Sequence, residues 1–314
     1  MSSTITKRLK RFVDRLAQTD ARATAKSQRQ FDWSIGIYLG ESPFDLLSPA
    51  GLINPVITRA SVSDVVASFV ADPFIIRVHR QWYMFFEVLI RASGKGAIGL
   101  AVSPDGIEWE YRQIVLAEPF HLSYPYVFEW RNEYYLIPET AGSIRLYKAS
   151  EFPMKWSLVT TLFSANGHRY VDASIFRFQE KWWLFTETNP ALKADTLRLY
   201  YADDLMGPWL EHPKSPVIEG NAHVARPAGR VLVLNDKIIR FAQDCYPQYG
   251  YQVRAFEISG LSTTTYEERE VQDKPILTAS GSGWNADGMH HVDPCLTDDR
   301  GWVAAVDGWC WLDP

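Results

Sequence analysis

The sequence predicts an all-β fold, a five-bladed β-propeller, and three observations carry that reading. A hairpin unit recurs: Asp72-Pro73-Phe74-Ile75-Ile76 runs into Trp82–Glu87, Tyr124–Phe128 into Tyr134–Glu139, and Asp172–Phe176 into Trp182–Glu187. In each copy an aromatic stands 10 residues after the opening residue and a Glu stands 15 after it. Looser copies open at Arg226, running to Asp244, and at Asp293, running to Asp307. The first three hairpins are each followed by an apolar stretch (Ala97–Val102, Ile144–Lys148, Leu197–Ala202) and a turn that closes on Trp109, Trp156 or Trp209. Finally, the openings at 72, 124, 172, 226 and 293 recur roughly every 50 residues, the period of a four-stranded blade.

The elements follow in chain order. Residues 1–30 hold eight Lys and Arg against Asp14 and Asp20, and Ile5, Leu9, Phe12, Val13 and Leu16 fall at helical spacing. That is a basic amphipathic helix, suited to docking on the body, to an anionic membrane surface, or to a partner subunit. Phe31 to Gly40 reads as a strand, and Glu41 to Ser68 as a loop punctuated by Pro43, Pro49 and Pro55. Blades are expected near 70–120, 121–167, 168–220, 221–284 and 285–314. Pro-Asp-Gly at 104–106 and Gly-Pro at 207–208 supply turn geometry before the fourth strands. The last blade is short, with strands near 294–298, 302–306 and 309–312. Strand 33–39 is the expected donor of its missing outer strand, closing the ring and leaving no unpaired edge.

Bulk properties exclude several classes. A hydrophobic fraction of 46% fills a large core, so the chain is neither disordered nor fibrous. The net charge of −5 argues against a nucleic-acid partner, which calls for a basic surface. Three cysteines without a CxxC pair, no secretory segment and no apolar run of membrane-spanning length give a cytoplasmic protein as the expectation.

In a propeller the inner strands begin, and the second strands end, at one mouth of the axis. Asp72, Glu87, Tyr124, Glu139, Asp172, Glu187, Arg226, Asp244, Asp293 and Asp307 should therefore ring that mouth. His121, His168, His223 and His290 lie three or four residues before the later inner strands, with His291 beside the last. Carboxylates, imidazoles and Arg suit sugar hydroxyls, and Tyr170, Tyr246 and nearby aromatics suit the apolar faces of sugar rings. Arg169 and Arg226 suit a carboxylate or phosphate, or else neutralise the neighbouring acids. His290, His291 and Asp293 also make a candidate metal set.

The Asp-Pro opening at 72–73 and the turns Ser103-Pro104-Asp105-Gly106-x-x-Trp109 and Leu205-Met206-Gly207-Pro208-Trp209 resemble those of the five-bladed glycosidases, the arabinanases and β-xylosidases together with invertases and levansucrases. Arg226-Pro227-Ala228-Gly229-Arg230, Gln243-Asp244-Cys245-Tyr246 and His290-His291-Val292-Asp293-Pro294 are similar to the N-terminal propeller of glucosamine inositolphosphorylceramide transferases and their relatives in bacterial polysaccharide clusters. The glycosidase resemblance implies a base or nucleophile at Asp72, a pKa modulator at 124 and a general acid at 172. Here 124 is Tyr and 172 is Asp, one methylene shorter than the usual Glu. It also implies an axial Ca2+ or other cation near His291, although the chemistry itself requires no cofactor. Two functions fit: carboxylate acid/base cleavage or transfer of a glycoside by Asp72 with Asp172 or Glu187, or non-catalytic recognition of a glycan or nucleotide sugar in polysaccharide or glycolipid synthesis.

Overall fold

A computed structural model describes residues 30–140, 142–164, 167–235 and 237–312; the expected N-terminal helix lies outside them. The unit Asp32–Cys310 holds five antiparallel sheets and, as its only helical pieces among the described residues, two short 3-10 turns. Among those residues no helix is long and apolar enough to cross a membrane.

The chain begins with β1 (Phe31–Ser42) and β2 (Asp45–Leu47). Blade one follows, with β3 (Ala67–Val78), β4 (Gln81–Ile90), β5 (Lys95–Ser103) and β6 (Glu110–Leu116) in that order from inside to outside. Blade two repeats it with β7 (Ser123–Trp130), β8 (Glu133–Glu139), β9 (Ile144–Glu151) and β10 (Lys155–Phe163). Blade three has β11 (Val171–Phe178), β12 (Lys181–Glu187) and β13 (Thr196–Ala202), with the short β14 (Leu210–Glu211) and β15 (Ile218–Glu219) both paired to β13. Sheet faces pack against neighbouring sheets, so inner strands are buried on both sides and read as continuous apolar runs. Phe74 and Phe85 of blade one meet Tyr126 and Trp156 of blade two respectively, and Phe128 of blade two meets Trp182 of blade three. Each turn tryptophan donates its indole N–H back into its own turn: Trp109 to Gly106 O, Trp156 to Pro153 O and Trp209 to Leu205 O.

The inner strands of these three blades share a feature that places the site. Their registers break between Ala71 and Phe74, Ser123 and Tyr126, and Val171 and Ser174. In each break one residue adopts the left-handed conformation: Asp72 (φ 54°), Tyr124 (φ 46°) and Asp172 (φ 51°). A bulge of this kind leaves its residue out of the ladder and re-aims the side chain, at a conformational cost that β-ladders rarely accept.

Blade four contains β16 (Arg226–Pro227), β17 (Leu232–Leu234), β18 (Lys237–Asp244), β19 (Gln252–Leu261), β20 (Tyr266–Glu270) and β21 (Leu277–Thr278). Its inner strand is interrupted between β16 and β17, where Gly229 (φ 137°) makes a parallel bridge to Val292 of blade five. A Cβ at 229 would lie 1.8 Å from Val292 O, so only glycine fits. Arg226 pairs with Gln243, not Asp244. Gln243 is thus the counterpart of Glu87, Glu139 and Glu187, and the expected equivalence of Asp244 is off by one residue because the interrupted strand lacks the bulge.

Blade five combines β22 (Val292–Thr297) and β23 (Gly301–Trp311) in the order β2-β1-β23-β22. The separate strand expected at 309–312 does not exist. Gly308 is no turn but part of β23, where a Cβ would lie 2.4 Å from that of Asn285.

Candidate functional site

The bulge at Asp72 brings its carboxylate to His290. His290 Nδ1–H donates to Asp307 Oδ1 at 2.8 Å, and its Nε2 reaches Asp72 Oδ1 at 3.2 Å. Asp307 is anchored in turn, accepting from the backbone N–H of Asp72 (2.9 Å) and of His291 (3.0 Å). Asp72 Oδ2 accepts from Tyr124 N–H at 3.2 Å, so these two acids stitch blade five to blade one and blade one to blade two. Although burial opposes charge here, the His290 contact holds Asp72 down at about 2, while Asp307 and Asp72 raise His290 to about 10. The trio is carboxylate, imidazolium, carboxylate. The His290 ring lies 4.3 Å from Trp33 and 5.2 Å from Tyr249.

Asp172, on the equivalent bulge of blade three, meets different partners. Arg226 Nε–H donates to its Oδ2 at 2.5 Å, and Gln243 Nε2–H donates to the same oxygen at 2.8 Å. Among the described residues no hydrogen bond engages its Oδ1. Burial, with Glu139 and Asp72 adding to it, pushes this carboxyl up to about 7 against the pull of Arg226. Glu187 accepts from Asn189 N–H at 2.7 Å, and burial pushes it likewise to about 7.

The remaining acids lie between these groups. Gly96 N–H donates to His121 Nδ1 at 2.9 Å, leaving the Nε2 proton to face Glu87 Oε1 at 3.3 Å. Burial lowers His121 to about 4 and raises Glu87, whose neighbours Asp72 and Glu139 add to the effect. Arg169 Nη2 stands 3.7 Å from Glu139 Oε1, and its buried Nε has no partner. His168 lies 6.1 Å, ring to ring, from Tyr170, which is buried against Phe163.

Three expected ligand contacts are taken by the protein itself. Tyr124 is fully buried; its hydroxyl accepts from Gly229 N–H at 2.7 Å and lies 2.8 Å from Ser174 Oγ, which donates to Gly229 O at 3.0 Å. Asp293 is fully buried, bound by Arg230 Nε–H at 2.8 Å and Ile75 N–H at 2.7 Å, and so stands apart from His290. Asp244 is a hub, bound by His223 Nδ1 (2.8 Å), Gln252 (2.7 Å) and Arg254 (3.1 Å). It carries His223 beside the exposed Tyr246, the two rings 5.2 Å apart.

Two groups could in principle hold a metal. Asp72, His290 and Asp307 bring ligand atoms within 4.8 Å of one another, but an imidazolium has no lone pair to offer. His291 fits better: it is fully buried, neither ring nitrogen has a hydrogen-bond partner, Nδ1 stands 4.0 Å from Asp72 Oδ1, and burial favours its neutral form.

The family described as glucosamine inositolphosphorylceramide transferase 1, N-terminal, matches residues 25–309. The chain belongs to that family. It is 33% identical over 298 residues to glucosamine inositolphosphorylceramide transferase 1 of Oryza sativa subsp. japonica, covering 88% of this chain and 40% of the relative. With the Arabidopsis thaliana protein of the same name it shares 33% over 323 residues, 95% of this chain and 42% of that one. The chain therefore spans about two-fifths of the length of the curated relatives it matches. Among solved structures, a thermostable family-43 glycoside hydrolase superimposes with a TM-score of 0.59 at 15% identity, over 84% of this chain and 93% of that one. This likeness establishes the propeller fold.

For this member of the glucosamine inositolphosphorylceramide transferase 1 N-terminal family, the site residues to which the sequence reading gave no role are Trp33, Gln243 and Arg230. Counting 15 from Arg226, as in the first three blades, lands on Phe241, so the spacing does not mark Gln243, which pairs with Arg226 across the sheet. Trp33 arrives from a strand far away in sequence, and nothing local marks it.

Proposed function

We propose that the mouth is a sugar-processing site in which Asp72 serves as the anionic group and Asp172 as the proton donor in cleavage or transfer of a glycosidic bond. One observation carries this: two carboxyls on equivalent bulges are driven apart, Asp72 to about 2 and Asp172 to about 7, the division acid/base chemistry needs. In such a step the bond from the anomeric carbon to the leaving oxygen breaks, and a proton on Asp172 Oδ1 passes to that oxygen. So acidic an Asp72 is a weak base, better suited to attack the anomeric carbon or to stabilise its positive charge. Glu187 is the reserve acid. The relatives' name supports a sugar carried on, or destined for, a glycolipid. His291 would take a cation; the expected result is that calcium raises the thermal midpoint of the protein but not that of His291→Gln. The basic segment 1–30 would add contact with an anionic membrane, read by co-sedimentation with phosphatidylserine vesicles.

The test is a glycan array followed by product analysis, with Asp72→Asn alongside. Asn tolerates the left-handed conformation at 72, so the fold should survive. Turnover should fall by at least 100-fold while binding persists; unchanged turnover would remove Asp72 from the chemistry. A second reading, non-catalytic recognition of the same sugar, is favoured by the two donors Arg226 and Gln243 on Asp172 Oδ2, which oppose proton donation. Binding without product from any array hit would decide for it.

A further inference from the structure

The loop 245–251 between β18 and β19 leaves blade four and is fastened on blade five. Trp309 Nε1–H donates to Gly250 O at 2.9 Å. A Cβ at 250 would lie 2.5 Å from the Trp33 ring, and φ there is +71°, so glycine is required at this contact. The anchored Gly250 fixes its neighbour, Tyr249. The Tyr249 ring stands 5.2 Å from that of His290 at 63° and 6.2 Å from Trp33, and the Arg226 guanidinium lies 4.9 Å from its centroid. Two cationic groups from two blades thus face one phenol, an arrangement that holds the ring still.

The hydroxyl, by contrast, is uncommitted: among the described residues it makes no hydrogen bond. Burial pushes it well above its ordinary range, and the nearby charges of Asp72 and Asp172 add to this against Arg226, so it stays protonated at any working pH. Tyr249 is therefore a rigid neutral donor close to both acids of the proposed chemistry.

We propose that Tyr249 is a specificity-determining ligand contact, whose hydroxyl donates a hydrogen bond to a hydroxyl or ring oxygen of the sugar held between Asp72 and Asp172. This rests on the sugar-binding reading above. Tyr249→Phe separates the donor from the ring, because Phe keeps the contacts to His290, Trp33 and Arg226.

The experiment titrates the full chain and Tyr249→Phe with the strongest glycan of the array, then with its monodeoxy analogues, and records thermal midpoints for both proteins. The expected result is about tenfold weaker binding by Tyr249→Phe, with one deoxy analogue that binds both proteins equally. A general loss of packing would weaken every analogue by the same factor, so that result overturns the proposal whatever the thermal midpoint. Equal affinity of the two proteins for the parent glycan also overturns it and leaves the sugar-binding reading intact. Failure of the unmodified chain to bind any glycan overturns both.

Discussion

Asp72 and Asp172 occupy the same place in two blades and bend the backbone in the same strained way, yet their neighbours give them opposite protonation. What differs is the group behind each: an imidazolium at Asp72, and at Asp172 a guanidinium and an amide that share one oxygen. For catalysis this has a direct consequence. The rate should fall as the pH rises through about 7, where Asp172 and Glu187 lose their protons, and should not fall on the acid side until well below pH 4, because Asp72 stays ionised down to about 2. A pH–rate profile that instead rises through 7 would reverse the assignment of acid and anion. His290 leaves its mark on stability. Its pKa is raised in the folded state, from 6.5 to about 10, so its contribution is complete below pH 6.5 and disappears as the pH climbs to about 10. Thermal midpoints of the unmodified protein should drop over that interval more steeply than those of His290→Gln.

At the scale of the element, the decisive stretch is Ala228 to Val231. Gly229 is gripped by Tyr124 and Ser174 from blades two and three and bridges to Val292 of blade five. Arg230 then binds Asp293, Val127 O and Ile75 O, three residues deeper along the inner strands, and covers the rings of Phe74 and Tyr126. Four residues of blade four thus touch every other blade. Arg230→Ala leaves the Asp293 charge buried without its partner and should cost about 3–5 kcal/mol in urea denaturation. Asp293→Asn in the same chain should recover part of that loss. The importance of Arg-Pro-Ala-Gly-Arg was legible as a motif, but its work was not, because each contact is made with a different blade. The bulges were hidden for a related reason: Asp-Pro, Tyr-Pro and Asp-Ala share no residue that announces a positive φ.

For the whole molecule, the repeat was legible because each of the first three blades carries its own hairpin, turn and tryptophan, all local signals at a fixed spacing. The fifth blade was misread at 309–312 because nothing in the sequence shows that one strand runs unbroken through Gly308, where the approach of Asn285 leaves no room for a side chain. Sequence groups the rim histidines by their position before the inner strands, but it could not tell that His290 would be charged and His291 neutral, since that depends on carboxylates from other blades. The summed shifts also set a property of the entire fold. Asp172 and Glu187 are raised, so the stability they allow is present at low pH and lost as the pH rises from about 4 to about 7; His290 continues the decline above that. Asp72 and Glu268 act in the opposite sense on the acid side, and His121 and His291, held neutral by burial, oppose the decline between about 4 and 6.5. Glu187→Gln should therefore remove one declining contribution between 4 and 7, read as a shallower fall of the thermal midpoint with pH over that interval.

Tyr124 and Ser174 clasp the backbone at Gly229, so a single knot ties three blades together. Loosening one thread slackens the other, and the losses from Tyr124→Phe and Ser174→Ala in urea denaturation should not sum.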